Sequence, residues 1–226
     1  MLKIATIFPE LLGTYGDGGN GLVLLQRAKK RGLDVSLHSV GIGDALIDAD
    51  LYLLGGGEDG PQQQATEALR RDGSLAKRLD DGAHIFAVCA GLQILGTSFA
   101  VHGGNSARGL EFVDAESVRS AQRSVGDLVV DVDGHELVGF ENHGGQTHLG
   151  PDVRPLGTVR RGFGNDGRVD GFRTTVMTAT YSHGPVLALN PWLADALLAA
   201  SLRIELEPLA SVADDLYEQR RRALRV

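Results

Sequence analysis

The sequence predicts an α/β fold, with a mostly parallel central sheet flanked by helices and some antiparallel strands in the second half. Three observations carry that prediction. Short apolar runs alternate with segments of helical period through the first half of the chain. From 109 to 176 glycine and valine dominate, with turn residues spaced between them. One apolar run, Ile85-Phe86-Ala87-Val88, enters the only cysteine and leaves it through small residues onto Leu92 and Leu95, which recur at helical spacing.

In order, residues 2–8 read as a buried strand and 35–40 as a second, with a helical segment at 22–30 between them, a βαβ opening. Asn20 is placed to cap that helix and Gly32 to end it. Leu51-Tyr52-Leu53-Leu54 is a short strand running into Gly55-Gly56-Gly57. Helical stretches follow at 62–71 and 74–79, then a strand at 84–88 and the helix after Cys89. Strand candidates in the second half lie at 128–132, 136–138 and 156–159, with turns at Asp133-Gly134 and Asn165-Asp166-Gly167. A strand at 176–180 ends in Tyr181-Ser182-His183-Gly184-Pro185, and helices near 193–204 and 212–224 follow. Without repeats or low-complexity stretches, residues 1–226 are expected to form a single domain.

Composition excludes several classes of function. A net charge of −7 argues against a nucleic-acid surface, and Arg220-Arg221-Arg222 reads as a solvated helix end. Apolar residues at 42% and charged ones at 23% are ordinary for a soluble domain, and no apolar run is long enough to span a bilayer. A lone cysteine and an N-terminus without a signal pattern lead to the expectation of a cytoplasmic protein without membrane insertion. The seven histidines show no close ligand pair, so no metal is expected. No P-loop pattern is present, so no cofactor is expected in this chain.

The cysteine run has the pattern of a strand, a sharp turn and a helix. Such a turn lifts a nucleophile out of the strand and sets it at a helix N-terminus, where N–H groups favour a thiolate and an adjoining oxyanion. The same residues alone also suit a buried structural cysteine. Reactive groups of an open α/β sheet lie beyond the carboxyl ends of its strands, and three segments qualify: the triple glycine, Cys89 and His183. Together they supply a nucleophile in Cys89, a base in His183, and backbone oxyanion donors at Gly56 or Gly57 with Ala90. His143, in the polar and glycine-rich run Glu141-Asn142-His143-Gly144-Gly145, is the rival base and reads as part of a loop lining the site.

Gly55-Gly56-Gly57, the Cys89 turn and the late His183 resemble the class I (triad) glutamine amidotransferases. The resemblance is closer to their cobyric-acid-synthase-like branch. It runs through Leu12-Gly13-Thr14-Tyr15-Gly16-Asp17-Gly18-Gly19-Asn20, Cys89-Ala90-Gly91-Leu92-Gln93, Phe140-Glu141-Asn142-His143-Gly144-Gly145, His183-Gly184-Pro185-Val186-Leu187 and Asn190-Pro191-Trp192-Leu193-Ala194-Asp195. It implies a flavodoxin-like three-layer fold that hydrolyses L-glutamine to glutamate and ammonia. Within that branch it implies a MurT-like ligase subunit as heterodimeric partner, using ATP and Mg to amidate the α-carboxyl of D-glutamate in the lipid II stem peptide. A cobyrinate-type acceptor is the alternative. Arg123 is the substrate-holding arginine that the resemblance implies, with Arg119 as runner-up, and Gln93, Asn142 and His143 complete the expected glutamine site.

Two positions depart from the family pattern. Pro185 stands where many members carry the glutamate that orients the histidine, so the orienting carboxylate is missing from its usual place, and the resemblance implies that an aspartate of the partner can complete the triad. An isolated chain would then hydrolyse glutamine poorly. Ala87 replaces a glycine at the turn, a small change. From another class of function, Gly16-Asp17-Gly18-Gly19-Asn20-Gly21 formally fits the dinucleotide fingerprint G-x-G-x-x-G. It stands too far after the first strand and lacks an acid at the end of the second. A non-catalytic binding subunit on the same fold is the third reading, and intact Cys89 and His183 argue against it.

Overall fold

The structure is a computed structural model that describes residues 1–224. Its strands and helices are β1 (Leu2–Ile7), α1 (Gly19–Lys30), β2 (Val35–Val40), β3 (Leu51–Leu54), α2 (Asp59–Asp72), α3 (Ser74–Asp80), β4 (His84–Val88) and α4 (Ala90–Leu95) in the first half. There follow β5 (Ser98–Ala100), β6 (Ser106–Arg108), β7 (Ala115–Val132), β8 (His135–Leu149), β9 (Gly157–Arg161), β10 (Val169–Asp170), β11 (Phe172–Arg173), β12 (Met177–Thr180), α5 (Val186–Leu189), α6 (Pro191–Leu202) and α7 (Val212–Leu224).

Two six-stranded sheets result. The first has the order β11-β12-β4-β3-β1-β2, parallel throughout except for β11 at its edge. Its inner strands are buried almost end to end, as a sheet covered on both faces requires. The predicted parallel core is therefore present, with each of its five parallel strands within one residue of expectation. The second sheet is mainly antiparallel and organised on β7, an 18-residue strand. β8 pairs along most of its length on one side, while β5 and β9 pair with opposite ends on the other. The Asp133-Gly134 turn joins β7 to β8, both residues at positive φ (52° and 87°), as a two-residue hairpin of this hand demands.

Three details correct the sequence reading. The run 141–145 is not a loop but the middle of β8, where Glu141, His143 and Thr147 face inward. Asn20 does not cap α1. It lies inside the first turn, and its Oδ1 accepts from the Leu187 backbone N–H at 3.0 Å, tying α1 to α5. The arginines near the C-terminus are not merely solvated, since Arg220 pairs with Asp127 at 2.5 Å and Arg221 with Glu136, fastening α7 to the hairpin.

A buried fork fixes the opposite edge. Arg27 donates two hydrogen bonds to Asp195, at 2.7 and 2.6 Å, and Arg31 adds a third at 2.7 Å, joining α1 to α6. Asn190 reaches the hairpin, donating to the Val138 carbonyl at 2.7 Å and accepting from its N–H at 2.8 Å. Among the described residues no helix is long and apolar enough to cross a membrane.

Candidate active site

Strand order brings the chemistry together. β3, β4 and β12 are neighbours, so the glycine run after β3, Cys89 after β4 and His183 beyond β12 lie at one end of the sheet with the cysteine in the middle. Cys89 adopts φ 51° and ψ −107°, a left-handed backbone that a side chain rarely takes. Its N–H donates to the Thr180 carbonyl at 2.9 Å, and the Gly91 N–H donates to the Gly55 carbonyl at 3.1 Å, so both neighbouring strands hold the turn. Glycine is required at 91 because a Cβ would stand 2.6 Å from the Leu54 carbonyl oxygen. The predicted sharp turn is present.

The predicted stabilised thiolate is not. Burial, and then the negative charge of Asp17, push the Cys89 thiol up to about 12. The Ala90 N–H and the Arg123 cation pull the other way but do not prevail. At neutral pH the sulfur keeps its proton, and reaction needs a base beside it.

His183 lines the same cavity and is placed as a candidate for that role. Its ring is fully buried, its Nδ1 lies 2.9 Å from Asp17 Oδ2, and its Nε2 has no protein partner. Tyr15 stands edge-on to the ring at 5.0 Å and Phe140 lies 5.7 Å away; the His183 N–H donates to the Phe140 carbonyl at 2.8 Å. A carboxylate of this chain therefore meets the ring, where the resemblance implied one from the partner. Pro185 leaves the usual place empty, but the loop after β1 delivers Asp17 from 166 residues away. Packing accounts for two glycines of the segment that follows, in the first turn of α1. A Cβ at Gly19 would come 2.6 Å from Pro185, and one at Gly21 3.0 Å from Leu37, so close packing selects glycine there.

Asp17 Oδ2 also accepts from the Gly56 N–H at 2.8 Å. Gly56 is thus engaged and not an open oxyanion donor, which corrects half of that expectation. Its lack of a side chain serves His183 instead, since a Cβ would sit 2.6 Å from the ring's Cε1. Gly57 and Ala90 line the cavity that Cys89 and His183 share.

Around the mouth of that cavity stand the remaining predicted residues. Arg123 lies where the register of β7 against β8 shifts, between Arg119 and Ser124, an irregularity that re-aims side chains. Its Nε donates to Asn142 Oδ1 at 2.7 Å. Arg119 lines the cavity too but is paired with Asp59 at 2.7 Å. Gln93 is tied at both ends, accepting from Gln62 at 2.9 Å and donating to the Tyr181 hydroxyl at 2.9 Å. His143 reaches the cavity wall with both ring nitrogens engaged, Nδ1 with the Gly145 carbonyl at 2.8 Å and Nε2 with Glu141 at 3.1 Å. Sequence reasoning missed Asp17, Tyr15, Glu58 and Gln62 as site residues. Only Asp17 and Tyr15 carried a signal, since both fall in the first segment of the family resemblance.

Comparison with known proteins places the chain in a family. A family model described as a CobB/CobQ-like glutamine amidotransferase domain matches residues 3–191. The chain is similar to the lipid II isoglutaminyl synthase (glutamine-hydrolyzing) subunit GatD of Staphylococcus aureus, 34% identical over 87% of this chain and 83% of that one. It is also similar to the subunit of the same name from Streptococcus pneumoniae, 31% identical over 89% and 81%. Among solved structures, PurLQS from Thermotoga maritima shares the fold, with a TM-score of 0.60 at 17% identity over 89% of this chain and 98% of the matched one. The chain belongs to the CobB/CobQ-like glutamine amidotransferase family.

Proposed function

We propose that this chain is the glutaminase subunit of a two-subunit amide ligase, with Cys89 as nucleophile, His183 as base and Asp17 as the carboxylate that orients it. The observation that carries the reading is the free Nε2 of His183, on a ring whose Nδ1 is fixed by Asp17, in the cavity that holds Cys89. His183 Nε2 takes the thiol proton as the sulfur attacks the side-chain carboxamide carbon of L-glutamine. The oxyanion of the tetrahedral intermediate is met by the N–H groups of Gly57 and Ala90. Collapse breaks the C–N bond, His183 returns the proton to the departing nitrogen, and ammonia leaves a γ-glutamyl thioester on Cys89. Water, deprotonated by the same nitrogen, then cleaves the thioester to glutamate and restores the thiol.

Arg123 is assigned to the substrate carboxylate, with Asn142 holding its guanidinium in place. Gln93 and His143 shape the wall without offering a free polar end. The two GatD relatives support the partner and acceptor: a MurT-like ligase subunit that uses ATP and Mg to convert D-glutamate of the lipid II stem peptide to D-isoglutamine. With Asp17 in this chain, His183 is oriented before any partner binds. The test is Cys89→Ser in the two-subunit complex. Glutamine-dependent amidation is expected to vanish while amidation from added ammonium persists. Loss of both activities, or survival of the first, overturns the reading.

A further inference from the structure

Gln62, in the first turn of α2, is 2% exposed and lines the catalytic cavity. Its Nε2 commits both hydrogens to the wall, one to Gln93 Oε1 at 2.9 Å and one to the Ala90 carbonyl at 3.4 Å. A carbonyl can only accept, so the Gln62 amide is fixed with its nitrogen towards Ala90 and its oxygen turned away. That direction propagates. Because Gln93 Oε1 accepts, Gln93 Nε2 donates to the Tyr181 hydroxyl at 2.9 Å. Tyr181 then gives its own proton to Thr147 at 2.6 Å, and Thr147 gives its proton to Ser117 at 2.8 Å. Five neutral side chains thus form one polarised chain running from α2 through α4 and the residue after β12 to β8 and β7. Its acceptor end is Gln62 Oε1, which takes no hydrogen bond from any described residue and is not sealed inside the protein, so it opens on the cavity beside Cys89.

An acceptor on a side chain this deeply buried is retained where a ligand brings it a donor. The scissile carboxamide brings one, since it carries N–H and C=O on a single carbon, whereas the carboxylate that replaces it carries acceptors only. We propose that Gln62 Oε1 accepts from the carboxamide nitrogen of glutamine, aimed there by the chain through Gln93, Tyr181, Thr147 and Ser117, so that the cavity tells the amide from the acid it becomes. The inference rests on the glutaminase reading above and deepens it. The bond to Oε1 is kept while the nitrogen gains its proton and departs. Once water has converted the thioester to glutamate, two acceptor oxygens face each other instead, and the product is expelled. Sites built to hydrogen-bond a substrate N–H reject a ligand that lacks it far more strongly than apolar pockets reject a missing methylene.

The experiment measures, on the full chain, kcat/KM for L-glutamine and the affinity for L-glutamate as a competitive inhibitor of that hydrolysis. In Gln62→Met, which keeps the length of the side chain but not its amide, kcat/KM for glutamine is expected to fall about 10- to 100-fold. The affinity for glutamate is expected to hold or rise, because the facing oxygen is gone, so the ratio of the two quantities drops about tenfold or more. A merely structural role would weaken both together. Tyr181→Phe reaches the same atom without altering Gln62, by removing the hydroxyl that fixes the direction of Gln93, and is expected to lower the ratio about threefold or more. Should Gln62→Met not fold, Tyr181→Phe decides alone. Parallel losses that preserve the ratio, or no change in either quantity, overturn the proposal. Failure of the glutaminase reading looks different, because the unsubstituted chain would then hydrolyse no glutamine.

Discussion

His183 and His143 are both buried, at 0% and 3% exposure, and each lies within 3.1 Å of a carboxylate oxygen. They differ in what remains unsatisfied. Both nitrogens of His143 are engaged, its ring stacks on Tyr181 at 3.9 Å, and its partner Glu141 accepts further bonds from the N–H groups of Phe163 at 2.7 Å and Gly164 at 2.9 Å. Around His183 the accounts are open: Nε2 has no partner, and neither has Asp17 Oδ1. A buried polar atom left unpaired costs about 1–3 kcal/mol, so a fold retains one where a reacting ligand completes it. Burial beside a carboxylate therefore does not mark a base; what sets His183 apart is the nitrogen it keeps free, on which the proposed role rests.

The largest expected effect tests that contrast directly. His183→Ala removes the proposed proton acceptor for a thiol held near 12, so kcat for glutamine hydrolysis is expected to fall by about 10³-fold or more, and because Asp17 is left buried with the Gly56 N–H alone, stability falls as well. His143→Ala is expected to cost stability while sparing the chemistry. It leaves Glu141 buried and short of a partner, so stability is expected to fall by about 3–5 kcal/mol while kcat of the folded fraction stays within about tenfold. Denaturant titration and steady-state kinetics on both variants check it. Chemistry lost only in His143→Ala would invert the assignment.

Asp17→Asn sharpens the same comparison on the carboxylate side. Asparagine still accepts from the Gly56 N–H, so the fold is expected to hold, but the charge that steadies a protonated His183 is gone. The expected loss in kcat is about 10²- to 10⁴-fold with KM nearly unchanged. A second readout separates positioning from packing. Asp17 opposes ionisation of Cys89, so the thiol of the variant is expected to ionise at lower pH than the parent even as activity drops, as ultraviolet thiolate absorbance reports. An unmoved thiol titration with full activity would remove Asp17 from the mechanism.

How much of this was legible follows from how the two regions are built. The sheet that carries Cys89 and His183 is made of apolar runs with helices between them, so the elbow, the glycine run and the late histidine stand at strand ends that a sequence displays openly. The hairpin that carries His143 hides its pattern, because the buried face of β8 bears Glu141, His143 and Thr147, polar groups that satisfy one another or bond to Ser117, Tyr181 and the backbone. Alternation of apolar residues, the signal that marks a half-buried strand, is replaced there by hydrogen bonding. The first half of β7 was missed for the opposite reason, since residues 119–126 are mostly exposed. Asp17 was in plain view in a recognised segment, but its meeting with His183 is a tertiary event across 166 residues that no local pattern records.

The smallest expected effect concerns a third carboxyl, which belongs to the His143 network. Asp170 is fully buried, accepting from the Thr180 hydroxyl at 2.5 Å and the Tyr181 N–H at 3.1 Å. Burial dominates, and with the nearby Glu141 charge also raising it against those hydrogen bonds and His143, its carboxyl moves up from 3.8 to about 6. Its folded value lies above its unfolded one, so the folded state holds the extra proton between those limits. Its contribution to stability is therefore greatest below about pH 4 and declines as pH rises towards 6, by about 3 kcal/mol in all. Asp170→Asn removes the titration, so the difference in unfolding free energy between variant and parent should shift in the variant's favour across that window and then level off. A difference curve flat from pH 4 to 6 would sink the assignment. The pH profile of glutamine hydrolysis should keep its shape in the variant, because in the proposed mechanism the proton moves between Cys89 and His183 and not within the network around His143.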